Sequence, residues 1–421
     1  MEINYKKIGL IIGFVAIVIL LGFSMYFIFF KNSIVPTTND EINNGSSSAK
    51  LPDTQINGSG PINTGTGVNK GLPNTDAQTG NEAGLVDQTR KPNTVANDGL
   101  TKITALNNVN SFAPTLSTDG NKILYYNKDD GKFYRINNNG QTELLSNKTF
   151  FNVQNVTWSP DKQKAVLEYP DGSNIVYDFA EKKQYSLPKH WKDFSFSPQS
   201  DKIVAKSIGT DPSNRWLMVA NEDGSHAQSI EPLGDKDATV HTSWSPNNLS
   251  VALYTESLDF DRQKLYFVGL NKENFKATTI EGRGFEHLWD EQGNKLLYSV
   301  YSSTTQLKPS LWIVNAKADS IGDNRQNLNL QTWAHKCTFA DSTIVYCAVP
   351  NELPEGAGLF PELAQNSVDS LYKINITNGS QTLVAIPDGN YNINNIIVAA
   401  DESNLYFTDI FTGKLYTINL K

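Results

Sequence analysis

The chain has 421 residues and a formal net charge of −8. That acidic balance excludes a nucleic acid as partner, because phosphate binding needs a dense basic face. Its 20 Phe, 17 Tyr and 7 Trp are enough for a large core, and all of them outside the first 30 residues fall after residue 110.

Ile8 to Phe30 is an apolar run without a single charge. At about 1.5 Å per residue it makes roughly 34 Å of helix, enough to cross a bilayer core. A cleavable signal peptide has a shorter apolar region ending in small residues. This run instead closes on Met25-Tyr26-Phe27-Ile28-Phe29-Phe30, and no lipidation cysteine follows. The pattern predicts an uncleaved, single-pass signal anchor over residues 8–30. Lys6, Lys7 and the terminal amine precede it, against Lys31 and then Lys50 after it. Flanking charge therefore orients the helix N-in, with residues 1–7 cytoplasmic and the rest extracytoplasmic at the cell membrane.

Residues 31–100 are rich in Asn, Gly, Ser, Thr, Pro and Asp, as in Asn43-Asn44-Gly45-Ser46-Ser47-Ser48. Too few apolar side chains are present to offset backbone ordering entropy, so a disordered linker is expected. As a flexible coil it would span about 45 Å on average. Gly65-Thr66-Gly67-Val68-Asn69-Lys70-Gly71 has the wrong glycine spacing for a nucleotide loop and follows no strand.

From Asn107 onward one pattern recurs. Trp158-Ser159-Pro160-Asp161 precedes Ala165-Val166-Leu167, Phe196-Ser197-Pro198 precedes Ile203-Val204-Ala205, and Trp244-Ser245-Pro246 precedes Val251-Ala252-Leu253. Degenerate copies stand at Ser117-Thr118-Asp119-Gly120, Leu288-Trp289-Asp290, Phe339-Ala340-Asp341 and Ala399-Ala400-Asp401. Each copy is followed by an alternating strand such as Lys264-Leu265-Tyr266-Phe267-Val268 or Leu415-Tyr416-Thr417-Ile418. Most have a weaker fourth strand as well. The spacing matches a propeller blade and exceeds most solenoid periods. The aromatic closes the first strand and wedges between blades, Ser-Pro breaks the ladder, and Asp with Gly or Asn shapes the turn.

These residues resemble the TolB-type, WD-like propeller repeat, found in TolB and in the propellers of prolyl-oligopeptidase-like enzymes. The resemblance covers residues 101–421 and departs at Ala340 and Ala400, which stand for Ser. It implies an all-β fold of about seven blades, with six, as in TolB, the alternative. It implies no single activity, because one repeat serves many. The seventh repeat has only three strands, so Lys102-Ile103-Thr104-Ala105-Leu106 is expected to return and complete it.

Cys337 and Cys347 lie opposite each other if their hairpin turns at Ser342, which permits a disulfide; two buried thiols are the other outcome. The five histidines show no metal spacing, no nucleophile elbow exists, and no catalytic, cofactor or metal residue is assigned. Asp259 and Asp261 are too few carboxylates for calcium and fit a turn. Loops between second and third strands share one disc face with the connections between blades. Among them Pro350 to Asp369 is long, and its Leu359, Phe360 and Leu363 are apolar. They either meet a partner or fold onto the disc. The leading expectation is a non-enzymatic scaffold binding a protein or envelope polymer. The alternative is a glycan lyase or hydrolase with a metal between His241 and His287, the ionisable groups expected on the innermost strands.

Overall fold

The computed structural model describes residues 91–421 and, before them, Leu20 alone. The expected membrane helix over residues 8–30 and most of the expected linker thus lie outside the described residues. Among the described residues no helix is long and apolar enough to cross a membrane.

Strand pairing sorts the chain into seven sheets, each built on four antiparallel strands. Blades 1 to 7 have innermost strands at Ser111–Leu116, Asn155–Trp158, Trp191–Phe196, Val240–Thr242, Arg283–Trp289, Cys337–Phe339 and Ile393–Val398. The protein is a seven-bladed β-propeller.

The turn after each innermost strand explains the recurring motif. Ser159 Oγ accepts the Lys164 N–H at 3.0 Å and donates to the Lys164 carbonyl at 2.9 Å. Asp161 Oδ1 in turn accepts the Gln163 N–H at 3.0 Å. Ser117, Ser197 and Ser245 repeat the first contact with Lys122, Lys202 and Ser250. In blade 5 a carboxylate substitutes, since Asp290 Oδ1 accepts the Lys295 N–H at 2.9 Å. Blade 7 has Ala399, not Ala400, at the serine position: its N–H reaches the Asn404 carbonyl as Ser159 N–H reaches Lys164. The fourth turn residue is left-handed in six blades, at Gly120, Lys162, Ser200, Asn248, Gly293 and Glu402, with φ from 52° to 72°. That backbone need is why Gly and Asn belong to the motif.

The aromatic that closes the first strand does wedge between blades. Trp158 stacks on Phe179 at 5.3 Å and meets Phe133 of blade 1 edge-on at 5.4 Å. Its indole N–H donates to the Ala113 carbonyl at 2.9 Å. More generally the core is seven separate apolar clusters, each shared by two adjacent blades. The cluster between blades 7 and 1 joins Tyr406 and Leu415 to Leu106, Ile123, Tyr125 and Ile136.

The ring closes as the incomplete seventh repeat predicts. Thr104 and Ala105 pair antiparallel with Thr417 and Tyr416, and the Leu106 N–H donates to the Leu415 carbonyl at 2.9 Å. The same segment does more than expected. Gly99–Thr101, which begins two positions inside the anticipated linker, pairs in parallel with Ala385, Ile386 and Pro387 as a fifth strand of blade 6. Composition hid this, because the pairing uses backbone groups and only Thr101 becomes buried among these three residues. Between the two pairings the Ile103 N–H donates to Asp388 Oδ1 at 3.0 Å, and its side chain enters the core between blades 6 and 7. Replacing Ile103 with Ala should therefore cost about 2–4 kcal/mol in urea unfolding. Val95→Ala, at a side chain 38% exposed, should stay within about 0.5 kcal/mol.

Candidate functional site

Antiparallel order puts every loop between second and third strands on one face, together with the connections between blades. Large exposed apolar side chains gather there. Leu258 and Phe260 stand on blade 4, Leu359, Phe360 and Leu363 on blade 6, and Ile410 and Phe411 on blade 7. Leu359 is 41% exposed, Phe360 51% and Leu363 50%, so about half of each side chain remains open to a partner. Other residues of the loop are more deeply packed. Ala357, Ala364 and the partly buried Leu353 pack on Trp333 as a small core of their own.

The blade 6 loop, residues 351–368, is a strap tied at both sides. Toward blade 5, the Gly356 and Gly358 N–H groups donate to the Gln306 and Leu307 carbonyls at 3.0 and 2.7 Å. A Cβ on Gly358 would lie 2.7 Å from the Leu307 oxygen and 2.6 Å from Tyr301 Cβ, so the approach requires glycine. Toward blade 7, Asn392 Nδ2 donates to the Ala364 and Gln365 carbonyls, both at 3.1 Å. Asn392 is itself held from below. Lys336 Nζ donates to Asn392 Oδ1 and to Asp369 Oδ2, each at 2.7 Å. Asp369 Oδ2 also accepts the Ile393 N–H at 2.6 Å, while its Oδ1 is buried without a partner.

Lys336 is 3% exposed and Asp369 fully buried. Burial raises the Asp369 carboxyl above its ordinary range and lowers the Lys336 amine below its own. The ion pair between them opposes both shifts. Removing one partner leaves a buried charge with no counterpart. Lys336→Met should then cost about 3–5 kcal/mol in urea unfolding and expose the strap to proteolysis. The double variant Lys336→Met with Asp369→Leu should recover part of that loss, the remainder reflecting the Ile393 N–H and Asn392 Oδ1 left unpaired.

Two cavities flank the strap. One of about 440 Å³ lies toward blade 7, lined by Trp333, Pro361, Glu362, Ile410 and Phe411 among others. A second of about 540 Å³ is lined by Glu352, Leu353, Pro354 and Leu363 among others. The blade 4 loop is held by contacts at the surface. Arg283 donates to the Phe260 carbonyl at 2.9 Å and to Ser257 Oγ at 2.6 Å. Asp259 pairs with Arg262 at 2.7 Å, and Asp261 accepts from Ser303 N–H and Oγ–H at 2.7 and 2.6 Å. These contacts lower both carboxyls below the usual range, Arg262 acting on Asp259 and Ser303 on Asp261. Asp259 thus braces its own turn, and Asp261 ties the loop to blade 5.

Cys337 and Cys347 face each other in register, with Cα atoms 4.1 Å apart, and are joined by a disulfide. His241 and His287 meet near the channel with ring centroids 6.1 Å apart. The Trp289 indole, which can only donate, gives its N–H to Ser243 Oγ at 2.8 Å. The same oxygen lies 2.7 Å from His287 Nε2, and the ring tautomer sets which of the two donates. In either tautomer Nε2 is occupied by Ser243. Dehydration, with His241 adding to it, holds the His287 pKa down to about 3. Dehydration also lowers His241. Among the described residues no three His, Cys, Asp or Glu side chains are grouped as a metal site.

A depressed histidine stabilises the fold only above its unfolded pKa, near 6.5. Below that value the unfolded chain binds a proton that the folded chain refuses. Lowering the pH from 7 to 5 should cost about 1–2 kcal/mol through His287 alone. His287→Asn should flatten that slope in urea unfolding followed across pH.

The sequence missed three features at this site: Ile410-Phe411, the Lys336–Asp369–Asn392 network, and the pairing of Glu286 Oε2 at 2.7 Å with Nδ1 of His335, which lines the cavity toward blade 7. Ile410-Phe411 carried a usable signal, being two bulky apolar residues in a turn before Thr412-Gly413. The other two join residues that are far apart in the chain and carried none.

No family model matches the chain, and no curated protein does. Solved structures do. An oligogalacturonate lyase in complex with manganese is similar with TM-score 0.50 and 16% identity, over 76% of this chain and 93% of that one. The Myceliophteria thermophila Cps50 (Swd1) β-propeller domain gives TM-score 0.51 and 12% identity, over 76% and 100%. TolB from Acinetobacter baumannii gives TM-score 0.41 and 11% identity, over 63% and 65%. At such identities the likeness speaks to fold alone, and the fold is a seven-bladed, WD-like propeller.

Proposed function

We propose that this chain is a membrane-tethered recognition module without catalytic activity, binding a protein or an envelope polymer on its loop face outside the cytoplasm. One observation carries the reading: exposed apolar side chains on that face sit on loops tied to neighbouring blades, the blade 6 strap through a buried ion pair and hydrogen bonds and the blade 4 loop through surface contacts. Ordering cost is thereby met before a partner arrives, which raises affinity for a given contact area. Scattered exposed residues are ordinary, whereas the gathering on the adjacent blades 6 and 7, around one cavity, suits an interaction surface. The uncharged apolar run over residues 8–30 and its flanking lysines support the tether and its N-in orientation. The disulfide supports an oxidising compartment.

An enzyme is the second reading, and one cavity favours it. A polar cavity of about 750 Å³ between blades 2 and 3 is lined by Glu168, Asp171, Lys189, His190 and Asp193 among others. Burial raises the Glu168 carboxyl, opposed by hydrogen bonds from Asn155 and the Asp193 N–H. Such a group suits proton transfer. For a metal at His287, Ser243 leaves only Nδ1 of the ring. Replacing Leu359, Phe360 and Leu363 together with Ser separates the readings. Capture of partner from envelope extracts by the full chain should fall at least about tenfold, a loss of about 1.4 kcal/mol, with the melting temperature unchanged. A drop in melting temperature would assign the three side chains to packing, and unchanged capture would count against recognition.

A further inference from the structure

Resting on the recognition reading, we infer that the blade 6 strap takes a cationic amphipathic segment of a protein. Its apolar side chains enter the two flanking cavities, and its lysines or arginines meet Glu352, Glu355 and Glu362. The strap itself sets this preference. Residues 351–368 contain those three glutamates and no Lys or Arg. All three glutamates are exposed. None enters an ion pair among the described residues.

Each cavity joins apolar walls to one of these unpaired carboxylates: Glu362 beside Ile410 and Phe411, Glu352 beside Leu353 and Leu363. The one lysine or arginine lining either cavity is Lys336, and its charge is spent on Asp369 at 2.7 Å. A ligand therefore meets apolar surface rimmed by net negative charge. An anionic lipid surface would be repelled by the same three carboxylates. A second copy of the strap would set glutamates against glutamates, which costs affinity. A segment alternating apolar and cationic side chains satisfies both the walls and the rim, and the chain's net charge of −8 steers it inward.

Two fluorescent peptides of equal length test this, sharing the same leucine positions and carrying either lysine or glutamate between them. Titrated with the full chain, the lysine peptide should bind at least about tenfold more tightly and weaken as salt rises. The triple variant Glu352→Gln, Glu355→Gln, Glu362→Gln should erase that preference while its melting curve stays unchanged. Equal binding of the two peptides, or a preference that survives the triple variant, would overturn the inference. If the serine variant at Leu359, Phe360 and Leu363 alone abolishes capture of partner from extracts, recognition stands and only the cationic preference falls. If neither variant alters peptide binding or capture, both fail.

Discussion

A blade of a propeller has two faces to bury, and it can bury both only if it has a neighbour on each side. The seven inter-blade clusters express that requirement, and the one between blades 7 and 1 exists only because the chain returns. Residues 99–106 make the return. Gly99–Thr101 lies along blade 6 and Thr104–Ala105 along blade 7, so one short segment clasps two blades. Ile103, set between the pairings, puts its side chain into their shared core. Without the clasp, Tyr406 and Leu415 would face water and the last sheet would present an open edge.

A closed ring is also what makes the loop face a platform. Loops on a frame that cannot splay hold fixed positions, and here they are tied further to neighbouring blades. The strap of blade 6 is bonded to blade 5 through Gly356 and Gly358 and to blade 7 through Asn392. Arg283, which opens blade 5, holds the Phe260 loop of blade 4. Lys336 is the anchor on the blade 7 side. Its amine is fully engaged below the surface, so its contribution is to position the strap, and the strap's exposed side chains are left to make contact.

Much of this was legible in the sequence, for a physical reason. The Ser-Pro-Asp turn is a local object: its hydroxyl and carboxylate bond backbone groups within five residues, so a short motif specifies it. Blade count and the return of residues 102–106 followed from counting such motifs. Apolar Leu359, Phe360 and Leu363 stood out because loops seldom carry them. What the sequence withheld depends on distant residues meeting. Lys336 reaches Asn392 across 56 positions, and nothing near either residue announces the other. Gly99 and Leu100 join a sheet through their backbones, which composition cannot register. Ala399 and Ala400 were confused because neither has a hydroxyl, and only the bond to Asn404 shows which fills the serine position.

Ring closure is tested most directly by a cross-link at the clasp. Thr104 and Thr417 stand directly opposite each other on antiparallel strands. With both changed to Cys in the full chain, with Cys337 and Cys347 left in place, mild oxidation should join them within one molecule. The product should run faster on a non-reducing gel and melt at a higher temperature. A pair that stays reduced, or that links only between molecules, would contradict the closed ring.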